Sequence, residues 1–194
     1  MHFALVSIIL ALVLGPAVTA AQSPVRDATV DSGTLSFDGR ATAGDFTGVT
    51  MAVTGELRGG PDIGAVRGAV ETPVATLKTG NDRRDRDLNK SMESDKYPTI
   101  RFELTRVTPA GARGDTVLVT LHGVFRIHGV ARDASLPAEV LIADDSIRVH
   151  SDFPLNLKDY GIGGLSRFFG LFKMYPDIVV HVNLLFRPPP APAQ

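Results

Sequence analysis

The 194-residue sequence contains no cysteine, no tryptophan and only three tyrosines. Without cysteine there is no disulfide scaffold, thiolate metal site, cysteine nucleophile or lipidated cysteine. Charge of one sign is missing as well: twenty Lys and Arg face twenty-one Asp and Glu, a formal net charge of −1 at pH 7. That balance argues against a nucleic-acid partner, which calls for a basic excess. No G-x-S-x-G or H-E-x-x-H motif occurs, and the glycine-rich Gly161-Ile162-Gly163-Gly164 lacks the spacing of a nucleotide fingerprint. What remains is a chain of ordinary composition, long enough for one self-sufficient domain.

The first charged residue is Arg26, and Phe3 to Leu14 form an unbroken apolar run. A run of that length suits a signal peptide, whereas a bilayer span needs about 20 residues. Gly15 and Pro16 break the run, and Val18-Thr19-Ala20 supplies small residues for cleavage. The expectation is a signal peptide over 1–20, a barrel domain over 21–187 and a proline-rich disordered tail over 188–194. The missing Lys or Arg ahead of the apolar run leaves an uncleaved anchor as the alternative.

Alternation with period two dominates the body of the chain. Ile100, Phe102 and Leu104 alternate with Arg101, Glu103 and Thr105. Val117, Val119, Leu121, Gly123, Phe125 and Ile127 share one strand face, as do Ile147, Val149, Ser151 and Phe153. Ile178, Val180, Val182, Leu184 and Phe186 repeat the pattern, and 46–57 and 70–77 also read as strands. Gly59 to Asp62 and Gly111 to Asp115 read as turns. Many strands with short turns predict an all-β antiparallel sheet, closed as a barrel or folded as a sandwich. Two helices interrupt it. One is polar, capped by Asn81 or Asp82 and pinned to the sheet by Leu88 and Met92. The other places Leu165, Phe168, Phe169 and Phe172 on one helical face.

Period two sets His122, His128, His150 and His181 opposite apolar neighbours, so all four are expected on the outer face, without a metal. Asp82, Asp85 and Asp87 are interleaved with arginines and read as a self-paired, solvated helix surface rather than a cation site. No catalytic residue, cofactor or metal is expected. The apolar faces either fill a packed core or line a cavity for one apolar ligand in a barrel of about eight strands.

Several segments together resemble the YceI-like family. Thr79-Gly80, Arg86-Asp87-Leu88 (the leucine one position early), Tyr97-Pro98, Ile100 and Phe102 follow its first signature. Leu121 to Val130, with Ile127-His128-Gly129-Val130, resembles its second, and Phe46-Thr47-Gly48 and Tyr160-Gly161-Ile162 resemble an early and a late motif. The resemblance implies a lipocalin-like antiparallel β-barrel with one or two short helices, exported to the bacterial periplasm. It further implies a polyisoprenoid or quinone-type lipid inside the barrel, transient membrane contact and a homodimer.

The leading expectation is therefore an exported carrier, not an enzyme, holding an isoprenoid or other long apolar lipid. Phe102, Phe125, Ile127, Val149, Phe153, Val182 and Leu184 are expected to line the tube, with Phe168, Phe169 and Phe172 as a wall or lid. Two alternatives stand beside it: a solid-core, stress-protective interaction module, and an enzyme that clusters His122, His128 or His181 with a carboxylate.

Overall fold

The computed structural model describes residues 24–42, 44–163, 166–167 and 172–189. The expected leader over 1–20 lies outside them, as do Leu165, Phe168 and Phe169. Among the described residues eleven strands form: β1 Ala28–Gly39, β2 Phe46–Thr50, β3 Thr54–Arg58, β4 Arg67–Pro73, β5 Thr99–Arg113, β6 Thr116–Ile127, β7 Val130–Ala143, β8 Ser146–Asn156, β9 Ser166–Arg167, β10 Phe172–Lys173 and β11 Asp177–Arg187. The main sheet runs β11-β8-β7-β6-β5-β4-β3-β1-β2, and a further β11–β1 pairing closes it. Every ladder is antiparallel, and β2 and β3 are two halves of one strand position, so the barrel has eight positions. The β11–β1 pairing joins the two ends of the sheet into a ring.

The period-two faces turn inward as expected. Phe102 pairs with Phe125, Val180 with Phe153 and Leu184 with Val149 across neighbouring strands. Bulges keep the apolar side inside where the sequence changes phase. In β5 the register shifts between Leu104 and Arg106, so Val107 takes the buried position after Leu104. In β1 a shift between Val30 and Ser32 brings Gly33, Leu35 and Phe37 into line.

The 46–57 segment is not one strand. It breaks at Met51 to Val53, where side chains replace ladder bonds: Thr72 donates to the Ala52 carbonyl at 2.8 Å, and the Ala52 N–H donates to Thr50 at 3.0 Å. β4 ends at Pro73 rather than Leu77, giving way to a single 3-10 turn. Helix α1, Asp82–Ser91, forms as the capping pattern predicts, with the Asn81 side chain accepting the Arg84 N–H at 3.0 Å. Buried Met92 and half-buried Leu88 pack on the barrel core. The second expected helix is corrected: Ser166–Arg167 and Phe172–Lys173 pair as a short antiparallel ladder.

The hairpin turn after β6 uses His128 and Gly129, with φ of 51° and 76°. Positive φ at both positions is the turn that matches strand twist. A Cβ on Gly129 would also lie 2.4 Å from the Tyr97 ring. The β1–β2, β4–β5, β6–β7 and β8–β11 connections therefore share the α1 end of the barrel. The β3–β4, β5–β6 and β7–β8 connections share the other, with the start of β1 and the end of β11.

Candidate functional site

The barrel is hollow. A cavity of about 990 Å³ runs through it, bordered by inward residues of every barrel strand and by α1. Leu35, Val70, Leu104, Leu121, Val149 and Val182 all point inward, yet each is only half-buried, because they face this space rather than one another. A packed core would hide them.

The α1 half of the cavity is aromatic. The rings of Phe102 and Phe125 stand 4.7 Å apart, those of Phe125 and Phe153 5.7 Å, and Phe37 meets Phe46 edge-on at 6.1 Å. Phe37 can lie flat against β2 because its cross-strand partner is Gly48, whose Cβ would fall 2.2 Å from the ring. The other half is aliphatic, built from Val107, Val140, Ile147 and Leu184, with Phe186 at its far end.

The buried hydroxyls inside are already engaged. Ser151 donates its hydroxyl to the Pro137 carbonyl at 2.6 Å, and buried Thr72 is held by Ala52. Pro137 lies where β7 has left β8, since their ladder covers only Glu139–Ala143 against Ser146–His150. The missing proline N–H therefore costs no ladder bond on that side. An occupant of the interior meets hydrocarbon almost everywhere.

Exposure along the lining locates the entrance. Thr42, Gly44, Asn81, Arg83, Lys90, Glu93, Gly161 and Gly163 border the cavity and are exposed, and all lie at the α1 end. At the opposite end the exposed lining residue is Ile142.

Helix α1 is fastened to this rim. Asp85 is buried and accepts hydrogen bonds from the Thr79 N–H at 2.9 Å and the Thr79 hydroxyl at 2.6 Å, with Lys78 Nζ at 3.8 Å. The Thr79 hydroxyl bond is the main reason its carboxyl titrates below the ordinary range. Arg84 donates to the Thr79 hydroxyl at 3.1 Å and lies over the Phe46 ring at 4.5 Å. These contacts correct two expectations. Asp85 is a buried structural acceptor rather than part of a solvated, self-paired surface. The arginine-aspartate-x-x-leucine signature also falls on Arg84, Asp85 and Leu88, with no displaced leucine.

The histidines divide. His122 bonds Ser135 and Thr108, each at 3.0 Å, and His150 bonds Asn183 at 2.7 Å; both flank cavity-lining positions and so face outward. His181 also faces outward, held by Asp152 at 2.8 Å and Asp38 at 3.3 Å. The Asp152 hydrogen bond chiefly raises its pKa, with Asp38 adding to it. Asp38 is pushed down, first by its bond from Thr47 and then by His181. His128 is the exception and a correction. Its turn carries it off the strand, Nδ1 bonds the Tyr160 carbonyl at 3.0 Å, and the side chain is 13% exposed. Its Nε2 is buried without a hydrogen bond, 3.6 Å from Glu93, and the ring borders the cavity. Among the described residues no three His, Asp or Glu side chains group closely enough to hold a metal.

Of the expected lining residues, Phe102, Phe125, Ile127, Val149, Phe153, Val182 and Leu184 all border the cavity. Phe168 and Phe169 lie outside the described residues, and only the backbone of Phe172 is described. Sequence reading missed Leu35 and Phe37, since β1 carries a bulge and two glycines that hide its period. Leu104, Leu121 and Val180 were visible on the right faces and belong to the lining too.

The family model of the YceI-like domain matches residues 22–186. No curated protein matches the sequence. Among solved structures, the fold is similar to a polyisoprenoid binding domain from Saccharophagus degradans implicated in plant cell wall breakdown. That match has a TM-score of 0.69 at 16% identity, covering 84% of this chain and 98% of that one. BcnA of Burkholderia cenocepacia is similar at a TM-score of 0.68 and 13% identity, over 79% of this chain and 95% of that one. A Campylobacter jejuni YceI protein gives a TM-score of 0.53 at 18% identity, over 63% and 72%.

Proposed function

This chain belongs to the YceI-like domain family, and on that premise we propose that it holds one long apolar lipid, of polyisoprenoid type, inside its barrel. The observation that carries the reading is the cavity: about 990 Å³ of mostly hydrocarbon-lined space, with its exposed rim at one end. A prenyl chain has the matching chemistry, being long, flexible and free of hydrogen-bonding groups. Each methylene moved from water into such a space contributes about 0.8 kcal/mol before ordering costs. The polyisoprenoid binding named for the S. degradans domain points the same way.

The solid-core alternative has no place for this cavity. Of the histidines named for the enzyme alternative, His181 keeps its carboxylate partners on the outer wall, while His128 borders the cavity at its rim with Glu93 at 3.6 Å and, among the described residues, no further titratable partner bonded to its ring. The reading extends to an exported carrier, supported by the apolar run Phe3 to Leu14 and the small residues before Ala21. Loading at a membrane surface and a homodimer belong to the same reading.

The test is a titration of delipidated protein with a prenyl alcohol such as geranylgeraniol. Wild type is expected to bind it, while Phe125→Arg keeps a β-barrel circular-dichroism spectrum and loses binding, because the tail would have to desolvate a guanidinium. Equal binding by both proteins would remove the cavity as the ligand site.

A further inference from the structure

At the end of the barrel opposite α1, the side formed by β1, β3 and β4 is covered by backbone, while Ile142 of β7 borders the cavity there and is exposed. Val25 and Gly60 exchange both hydrogen bonds, at 2.9 and 3.0 Å, so the segment before β1 is tied across the β3–β4 connection. That connection contains a single 3-10 turn, Ile63–Ala65, capped by Asp62, whose carboxylate accepts the Ala65 N–H at 3.0 Å. Arg67 donates to the carbonyls of Gly64 and Val66 at 3.0 and 2.9 Å. Through this closure Val25, Ile63 and Val66 border the cavity, joined from β11 by Phe186, which is only 2% exposed. The rim at the α1 end is exposed, whereas these four residues are buried and backed by main-chain bonds. A chain that enters at the rim runs down a tube with a fixed floor.

We propose that this floor sets the longest prenyl chain that the barrel takes in whole, with Ile63 and Phe186 as the residues that determine the limit. The inference rests on the lipid-binding function proposed above. Below the limit each isoprene unit is buried in full. Beyond it, added units stay in water at the rim and contribute nothing.

The experiment titrates delipidated full-length protein with a series of all-trans prenyl alcohols from farnesol through geranylgeraniol to solanesol. Kd is expected to fall at least about tenfold for each added isoprene unit and then to level off. Ile63→Phe adds three carbons at the end of the tube, less than one isoprene unit, so the longest alcohol that wild type encloses is expected to bind at least about fourfold more weakly while shorter ones bind unchanged. Phe186→Ala removes roughly one isoprene unit's bulk of carbon, and the break comes about one unit later. Should Phe186→Ala fail to fold, Ile63→Phe decides alone, since it keeps an apolar side chain at the cavity border. Unchanged binding of that longest enclosed alcohol by Ile63→Phe, or no break at all in wild type, overturns the inference and leaves the lipid-binding reading standing. Failure of every alcohol to bind wild type overturns that reading, and the inference with it.

Discussion

Val182→Phe separates a hollow barrel from a filled one. Val182 lies midway along β11, paired across the sheet with Leu35 on one side and Ser151 on the other, and it is half-buried while facing inward. In a filled core, a ring at this position would force its neighbours apart and cost about 1–3 kcal/mol. Here it projects into the cavity. The added carbon covers about 40 Å² of apolar surface, worth about 1 kcal/mol. Lost rotamer freedom offsets about half of that. The ligand-free variant should therefore be as stable as wild type or up to about 1 kcal/mol more stable. Binding moves the opposite way. A ring that displaces roughly three carbons of prenyl chain should weaken binding by about 2 kcal/mol, or about 30-fold. Urea unfolding followed by far-ultraviolet circular dichroism measures the first quantity, because the chain has no tryptophan to report it. Titration with a cavity-filling prenyl alcohol measures the second. A variant destabilised by 1–3 kcal/mol that binds the alcohol as tightly as wild type would refute both the hollow interior and the assignment of the ligand to it.

Two further predictions concern the frame around the cavity. Asp85→Ala removes the acceptor of two Thr79 hydrogen bonds at the start of α1, and should cost about 2–4 kcal/mol in chemical denaturation. Its carboxyl titrates low in the folded state, so its contribution is present at neutral pH and disappears on acidification below the ordinary carboxylate range. The His181 pKa is raised, so its stabilisation is complete below the ordinary histidine value of about 6.5 and fades as pH rises through the folded value. The Tm gap between wild type and His181→Gln should thus be widest near about pH 6 and narrow toward about pH 9. A gap that widens with pH would mean that Asp152 and Asp38 do not hold the protonated imidazole.

The fold was legible where one physical rule acted alone. In β6, β8 and β11, a strict period of two meets a barrel with an apolar inside, and the expected faces are the observed ones. β1 and β7 escaped notice for definable reasons. The bulge at Val30 to Ser32 resets the phase of β1 halfway along. β7 begins Val130-Ala131-Arg132-Asp133-Ala134-Ser135 and contains Pro137, so its apolar alternation starts only at Leu136. His128 was misplaced because a turn with two positive φ angles suspends the strand period at that residue. The sequence presents Asp85 as one carboxylate among three on a charged helix; only the fold brings Thr79 under it and makes it the buried one. Whether the inward faces meet or leave a void depends on barrel circumference, which residue pattern does not encode.

The most direct test of the account is the identity of whatever travels with the protein. Protein purified from its native host without detergent would be extracted with organic solvent, and the extract analysed by mass spectrometry alongside the intact complex. The account predicts a single class of prenyl-chain lipid at close to one molecule per barrel, displaced by an added prenyl alcohol. Repeated recovery of lipid-free protein that also takes up no added prenyl alcohol would contradict it.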